Sequence, residues 1–254
     1  MRKLITYLKK RVKAINSILE KPRTFHELRV EIKKVKALFD LINHCSEEFE
    51  FEKHFKPFKK IYKQAGKVRD LQLEEQLLDK YQSFFALSEY RSKLSSKLLE
   101  EEISYFTTIN QDIIDQLDNK FKKLTSLLDQ IHKKDVNSYL EKKRKNIQKL
   151  LSEESLKAYE LHNLRKQIKI YDYNQKSFSS KKEYHPTSNY DQLSIYLGKW
   201  HDCQVFINHL NIITEAGKLK SEEILQIENL RSKISSRRKR LFCKIEDIIL
   251  QISL

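Results

Sequence analysis

A short basic-aromatic pattern occurs twice in this chain, and no other feature constrains its fold more. The first copy is Phe25-His26-Glu27-Leu28-Arg29-Val30-Glu31-Ile32-Lys33-Lys34. The second is Leu161-His162-Asn163-Leu164-Arg165-Lys166-Gln167-Ile168-Lys169-Ile170, with His, Leu, Arg, Ile and Lys in the same order and spacing. A second pair trails behind, Gly66-Lys67-Val68-Arg69-Asp70 and Gly198-Lys199-Trp200-His201-Asp202. The opening repeats too, with Tyr7-Leu8-Lys9-Lys10-Arg11 answered by Tyr139-Leu140-Glu141-Lys142-Lys143. Self-similarity of this order is the mark of a duplicated unit. It divides the chain into a first half over residues 1–132 and a second over 133–254.

Only 3 Gly and 3 Pro stand among 254 residues, too few turn-formers for a many-stranded sheet. Apolar residues recur at three- and four-residue spacing instead, which predicts an all-helical chain. The first half reads as helices over about 4–20, 24–45, 55–78 and 87–131. Pro57 falls near the start of the third, and Asn110 and Asn119 are candidate breaks in the fourth. Thr24 and Glu27 have the spacing of a capping box at the second helix. The second half reads as helices over about 136–151, 153–173, 190–210 and 221–252, with 177–189 as the longest loop. The expected architecture is all-α: two pseudo-symmetric four-helix bundles with a basic groove or pore between them.

Charge narrows the function. Lys plus Arg number 50 against 35 Asp plus Glu, a formal net charge of +15. Such an excess repels itself in a compact fold and attracts polyanions: nucleic acid, an anionic membrane or polyphosphate. At about 100° per residue, His26, Arg29, Lys33 and Lys36 fall in one arc of the second helix, on the shoulder of its apolar face. His162, Arg165 and Lys169 reproduce that arc with Lys166 close by, while Asp172 stands where Lys36 would be. Lys56, Lys59, Lys60, Lys63 and Lys67 line one side of the third helix. Lys233, Arg237, Arg240 and Lys244 form a stripe on the last. Like charges on neighbouring turns cost a few tenths of a kcal/mol per pair unless an anion sits between them.

Other chemistries lack their residues. His26 and His162 have cations, not ligands, one turn away, which opposes metal binding. His201-Asp202 resembles the pair of a metal phosphohydrolase, but Arg69-Asp70 fills its place in the first copy. Interchange of Arg and His fits an anion donor held by a carboxylate. Gly66 and Gly198, inside helical pattern, imply close packing of another element there. Cys45, Cys203 and Cys243 are odd in number and far apart, without a Cys-x-x-Cys pair. Lys9, Lys10, Arg11 and Lys13 interrupt any signal-peptide core, and no apolar stretch approaches a membrane span. The reading is a cytoplasmic protein without cofactor or metal.

The ordered duplicate of His-x-x-Arg-x-x-x-Lys and Gly-x-x-Arg/His-Asp resembles the CHAD family, the conserved histidine α-helical domain. His26, Arg29, Lys33, Gly66, Arg69 and Asp70 carry it in the first half, and His162, Arg165, Lys169, Gly198, His201 and Asp202 in the second. The departures are Lys36 and Asp172, where the family often has arginine. The resemblance implies two pseudo-symmetric four-helix halves and a stand-alone, non-catalytic binder of inorganic polyphosphate, associated with polyphosphate granules. It implies a site of His26, Arg29, Lys33, Lys36, Lys59, Lys60, Lys63, Lys67 and Arg69 from the first half. From the second come His162, Arg165, Lys166, Lys169, Lys199, His201, Arg237, Arg240 and Lys244. Neither specific nucleic acid nor membrane is an expected partner. The rivals are a nucleic-acid-binding helical protein, which would show exposed aromatics for stacking, and a metal-dependent phosphohydrolase.

Overall fold

The chain begins as a helix whose apolar face, Leu4, Leu8 and Ile15, is buried against two later helices. In this computed structural model the described residues are 2–19, 25–81, 87–109, 111–153, 156–178, 188–216 and 219–253. They form nine helices: α1 (Arg2–Leu19), α2 (Phe25–Cys45), α3 (Phe51–Tyr81), α4 (Ser88–Thr108) and α5 (Gln111–Gln130), then α6 (Lys133–Leu151), α7 (Ala158–Phe178), α8 (Ser188–Glu215) and α9 (Ser221–Ser253). The fold class is all-α.

Three details depart from the periodicity. The fourth pattern is two helices, broken between Thr108 and Gln111, so residues 1–132 carry five helices and not four; Asn119 lies inside α5. α3 starts at Phe51 and runs through Pro57. A proline there removes one backbone bond and costs about 3 kcal/mol. Phe51, Phe55 and Phe58 offset it by packing round Phe39, at centroid distances of 6.4, 6.1 and 5.6 Å. α7 begins at Ala158, later than expected, because Glu160 caps it there: its carboxylate accepts from the Lys157 N–H at 2.6 Å. The Thr24 end of the expected capping box and most of the expected loop at 177–189 lie outside the described residues.

Packing divides the chain into two compact units: Met1–Arg69 with Glu101–Leu150 and Lys166–His185, and Asp70–Glu100 with Leu151–Arg165 and Pro186–Leu254. The divisions fall within α3, α4 and α7, at the last residue of α6, and between α7 and α8. In the first unit, α1 packs on α2 and α5. Two groups of buried polar side chains are bonded across helices there. Glu31 accepts from Arg11 at 2.7 Å and Lys34 at 2.6 Å. Asn174 donates to the Ala37 carbonyl at 2.7 Å and to Tyr139 at 2.8 Å, and Tyr139 donates to Asp40 at 2.6 Å.

In the second unit α8 and α9 lie along each other. Leu193, Leu197, Phe206 and Leu210 of α8 are buried, as are Ile227, Leu230, Ile234 and Ile245 of α9. Two side chains fasten α4 and α8 to the rest. Glu223 is buried and accepts the Glu89 N–H at 2.8 Å, capping α4 immediately after Leu87, whose φ is 60°. Glu74, 3 % exposed, takes the Tyr90 hydroxyl and meets His209 Nδ1 at 2.5 Å.

Candidate basic site

The amphipathic faces of α2 and α3 set the cations of the first unit. Leu28, Ile32 and Val35 turn inward on α2, as do Phe58, Ile61, Ala65 and Val68 on α3, all nearly or fully buried. Arg29 and Lys33 are half-buried, while His26, Lys36, Lys56, Lys59, Lys60, Lys63 and Lys67 are exposed. Arg29 crosses from α2 to α3. Its guanidinium lies 4.2 Å from the Tyr62 ring centroid and donates to the Tyr62 carbonyl at 2.9 Å and hydroxyl at 3.3 Å. Gly66, one turn on, makes room: a Cβ there would stand 2.0 Å from Arg29 Nη1. The close approach that the glycine implied is therefore made by an arginine. Lys33 lies 6.0 Å from the same ring, and Lys36 lies 5.6 Å from Phe55. Two of the expected cations have acidic partners: Lys59 pairs with Glu52 at 3.0 Å and Lys67 with Glu101 at 3.2 Å. Lys166 is exposed and Lys169 and Arg69 half-buried in this unit, and Asp172 pairs with Lys176 at 2.7 Å.

His162, Arg165, Gly198 and His201 of the other copy lie in the second unit, in a different state. His162 and His201 are half-buried, their ring centroids 4.8 Å apart. Arg165 Nε is buried without a hydrogen-bond partner, and it stands 3.9 Å from where a Cβ of Gly198 would be. Aligning the two glycine motifs sets Ser194, 6 % exposed, at the place of Tyr62. The ring that cradles Arg29 is thus absent, and Arg165 has no matching seat.

A second cationic group forms on α8 and α9. Lys199 and Lys244 each lie over the Tyr196 ring, at 5.5 and 5.6 Å from its centroid. Arg237 donates to the Tyr81 hydroxyl and sits 5.7 Å from that ring. An open cleft of about 660 Å³ is lined by Tyr81 and by Lys233, Ser236, Arg237, Arg240 and Lys244 of α9. Among the described residues, no carboxylate pairs with Lys199, Lys233, Arg240 or Lys244. Tyr62, Tyr81 and Tyr196 are half-buried platforms for cations, and a tyrosine one turn from a motif glycine or lysine was the available signal.

Other reactive groups lie elsewhere. Burial pushes the Cys45 and Cys203 thiols up to about 11, so neither is a thiolate at neutral pH. The described residues contain no group of three or more His, Cys, Asp or Glu placed to hold a metal, and no helix long and apolar enough to cross a membrane.

The all-helical fold is shared with known proteins. The structure is similar to the crystal structure of the CHAD domain from the plant Ricinus communis, with TM-score 0.79 and 14% identity over 98% of this chain and 90% of that one. It is also similar to PptA from Streptomyces chartreusis, with TM-score 0.75 and 9% identity over 97% and 98% of the two chains. At such identities these structures establish the fold alone. No curated protein shows a significant sequence match. The sequence itself matches the CHAD domain family over residues 4–241. A match of that span, on a chain whose helices carry the repeated His-x-x-Arg-x-x-x-Lys pattern, means that this protein belongs to the CHAD domain family.

Proposed function

We propose that the chain binds inorganic polyphosphate through its aromatic-backed cations and performs no chemistry on it. The observation that carries this is the set Lys199, Lys233, Arg240 and Lys244, gathered at two adjoining helices with no carboxylate partner among the described residues. Like charges left uncompensated oppose folding, and a bound anion removes the opposition. Arg29, seated on Tyr62, gives the first unit an oriented guanidinium beside Lys33. Polyphosphate presents closely spaced charges without bases to stack or edges to read, so cations alone suffice to recognise it. The first unit offers His26, Arg29, Lys33, Lys36, Lys60 and Lys63 as one set of phosphate-binding cations. The second unit offers its own set, Arg165, Lys199, Lys233, Arg237, Arg240 and Lys244.

The test is competition in matched buffer. Long-chain polyphosphate should displace single-stranded RNA of equal total charge. Tighter retention of the RNA would make the half-buried tyrosines base-stacking platforms and the protein a nucleic-acid binder. Incubation of the complex with Mg²⁺ or Mn²⁺ should release no orthophosphate, and metal-dependent release would make it an enzyme.

A further inference from the structure

The α9 cleft differs from the rest of the basic surface in what lies between its charges. Tyr81 and Leu241 contribute carbon to its wall, as do the aliphatic stems of Lys233, Arg240 and Lys244. Ser232 and Ser236 add two hydroxyls, one turn apart, which both donate and accept. Arg237 is fixed by the Tyr81 hydroxyl, so its charge stands at one edge while Arg240 and Lys244 stand a turn or two further along. A volume of about 660 Å³ lies within the roughly 300–1,000 Å³ typical of sites for compact organic ligands. An inorganic chain would use the cations and leave the carbon wall and both hydroxyls idle. A ligand with a phosphate tail, a hydroxylated middle and a flat apolar end would use all three.

We propose that this cleft binds a nucleoside polyphosphate, its phosphates against Lys233, Arg240 and Lys244 and its nucleoside against the carbon wall of Tyr81 and Leu241. This rests on the reading of the α9 cations as phosphate binders, and it adds an organic ligand to that reading. Ser232 and Ser236 offer partners to the ribose hydroxyls.

Isothermal titration of the full chain with ATP and with sodium tripolyphosphate, both without metal and at one ionic strength, tests this. ATP should bind at least tenfold more tightly than tripolyphosphate. Ser236→Leu, which fills the cleft and keeps every cation, should weaken ATP at least tenfold and change tripolyphosphate less than threefold. Arg240→Ala should weaken both ligands. Equal affinity for the two ligands, or ATP binding indifferent to Ser236→Leu in a folded variant, overturns the nucleotide site. Binding of long-chain polyphosphate without ATP overturns the nucleotide site and leaves the proposed function standing. Absence of binding to both overturns the proposed function as well.

Discussion

Arg29 and Arg165 occupy matching places in the repeat and are held differently. Arg29 has a ring beneath it and a carbonyl in front of it, whereas Arg165 has a buried Nε without a partner. Arg29→Ala should therefore weaken polyphosphate binding about tenfold, the equivalent of ~1.4 kcal/mol, within the range of a charge-assisted hydrogen bond. Titration of the variant at low salt checks it, and an unchanged affinity would make Arg29 a purely structural residue. A second residue-scale prediction concerns His209. Its hydrogen bond to Glu74 raises its pKa above the ordinary 6.5, against the opposing effect of burial; the charges of Glu74 and Asp70 raise it further and Lys97 lowers it. A raised folded-state pKa contributes stability that is fully present below about 6.5 and is lost as pH climbs through the folded value. The melting temperature of the wild type should fall across that window by more than that of His209→Gln. Identical pH profiles for the two proteins would rule out the linkage.

At the scale of helices, the two motif glycines make opposite predictions from one substitution. Alanine favours a helix interior over glycine by about 1 kcal/mol. At Gly198 the new methyl meets only ordinary contact at 3.9 Å, so Gly198→Ala should stabilise by about 0.5–1 kcal/mol and leave binding alone. At Gly66 it would collide with the far end of Arg29. That side chain swings aside, so Gly66→Ala should be near neutral in stability and yet lower polyphosphate affinity. Denaturant melts and titrations of both variants decide it: a Gly66→Ala protein with full affinity would disconnect Arg29 from the site. The helices themselves were largely legible, because three- and four-residue spacing of apolar residues survives without knowledge of partners. The basic arcs of α2, α3 and α9 were legible for the same reason. What sequence could not supply are pairings across long separations, such as Glu223 with the start of α4 or Glu74 with His209. The seating of cations on Tyr62, Tyr81 and Tyr196 depends on such pairings too. A half-buried tyrosine at helical spacing looks identical to a buried one until its neighbours are known.

For the whole molecule the governing quantity is the net charge of +15. A ligand that binds the native state alone raises its stability by mass action, and a polyanion also relieves the repulsion among cations. Long-chain polyphosphate should raise the melting temperature, and the gain should shrink as salt is added. The log–log dependence of affinity on salt should have a slope of about −0.7 per neutralised phosphate, taking the single-strand value. A salt-independent affinity would remove electrostatics as the basis of binding.

The seat of Arg29 on Tyr62 also bears on the order in which the two copies fill. Holding a long side chain still costs about 0.5–1.5 kcal/mol of conformational entropy when it happens on binding. Arg29 meets that cost during folding, so the first unit offers a guanidinium already in place. Arg165 has no ring beneath it, and its buried Nε makes no hydrogen bond. The duplicated motif thus keeps one guanidinium oriented before any anion arrives, and a growing occupancy should begin at Arg29.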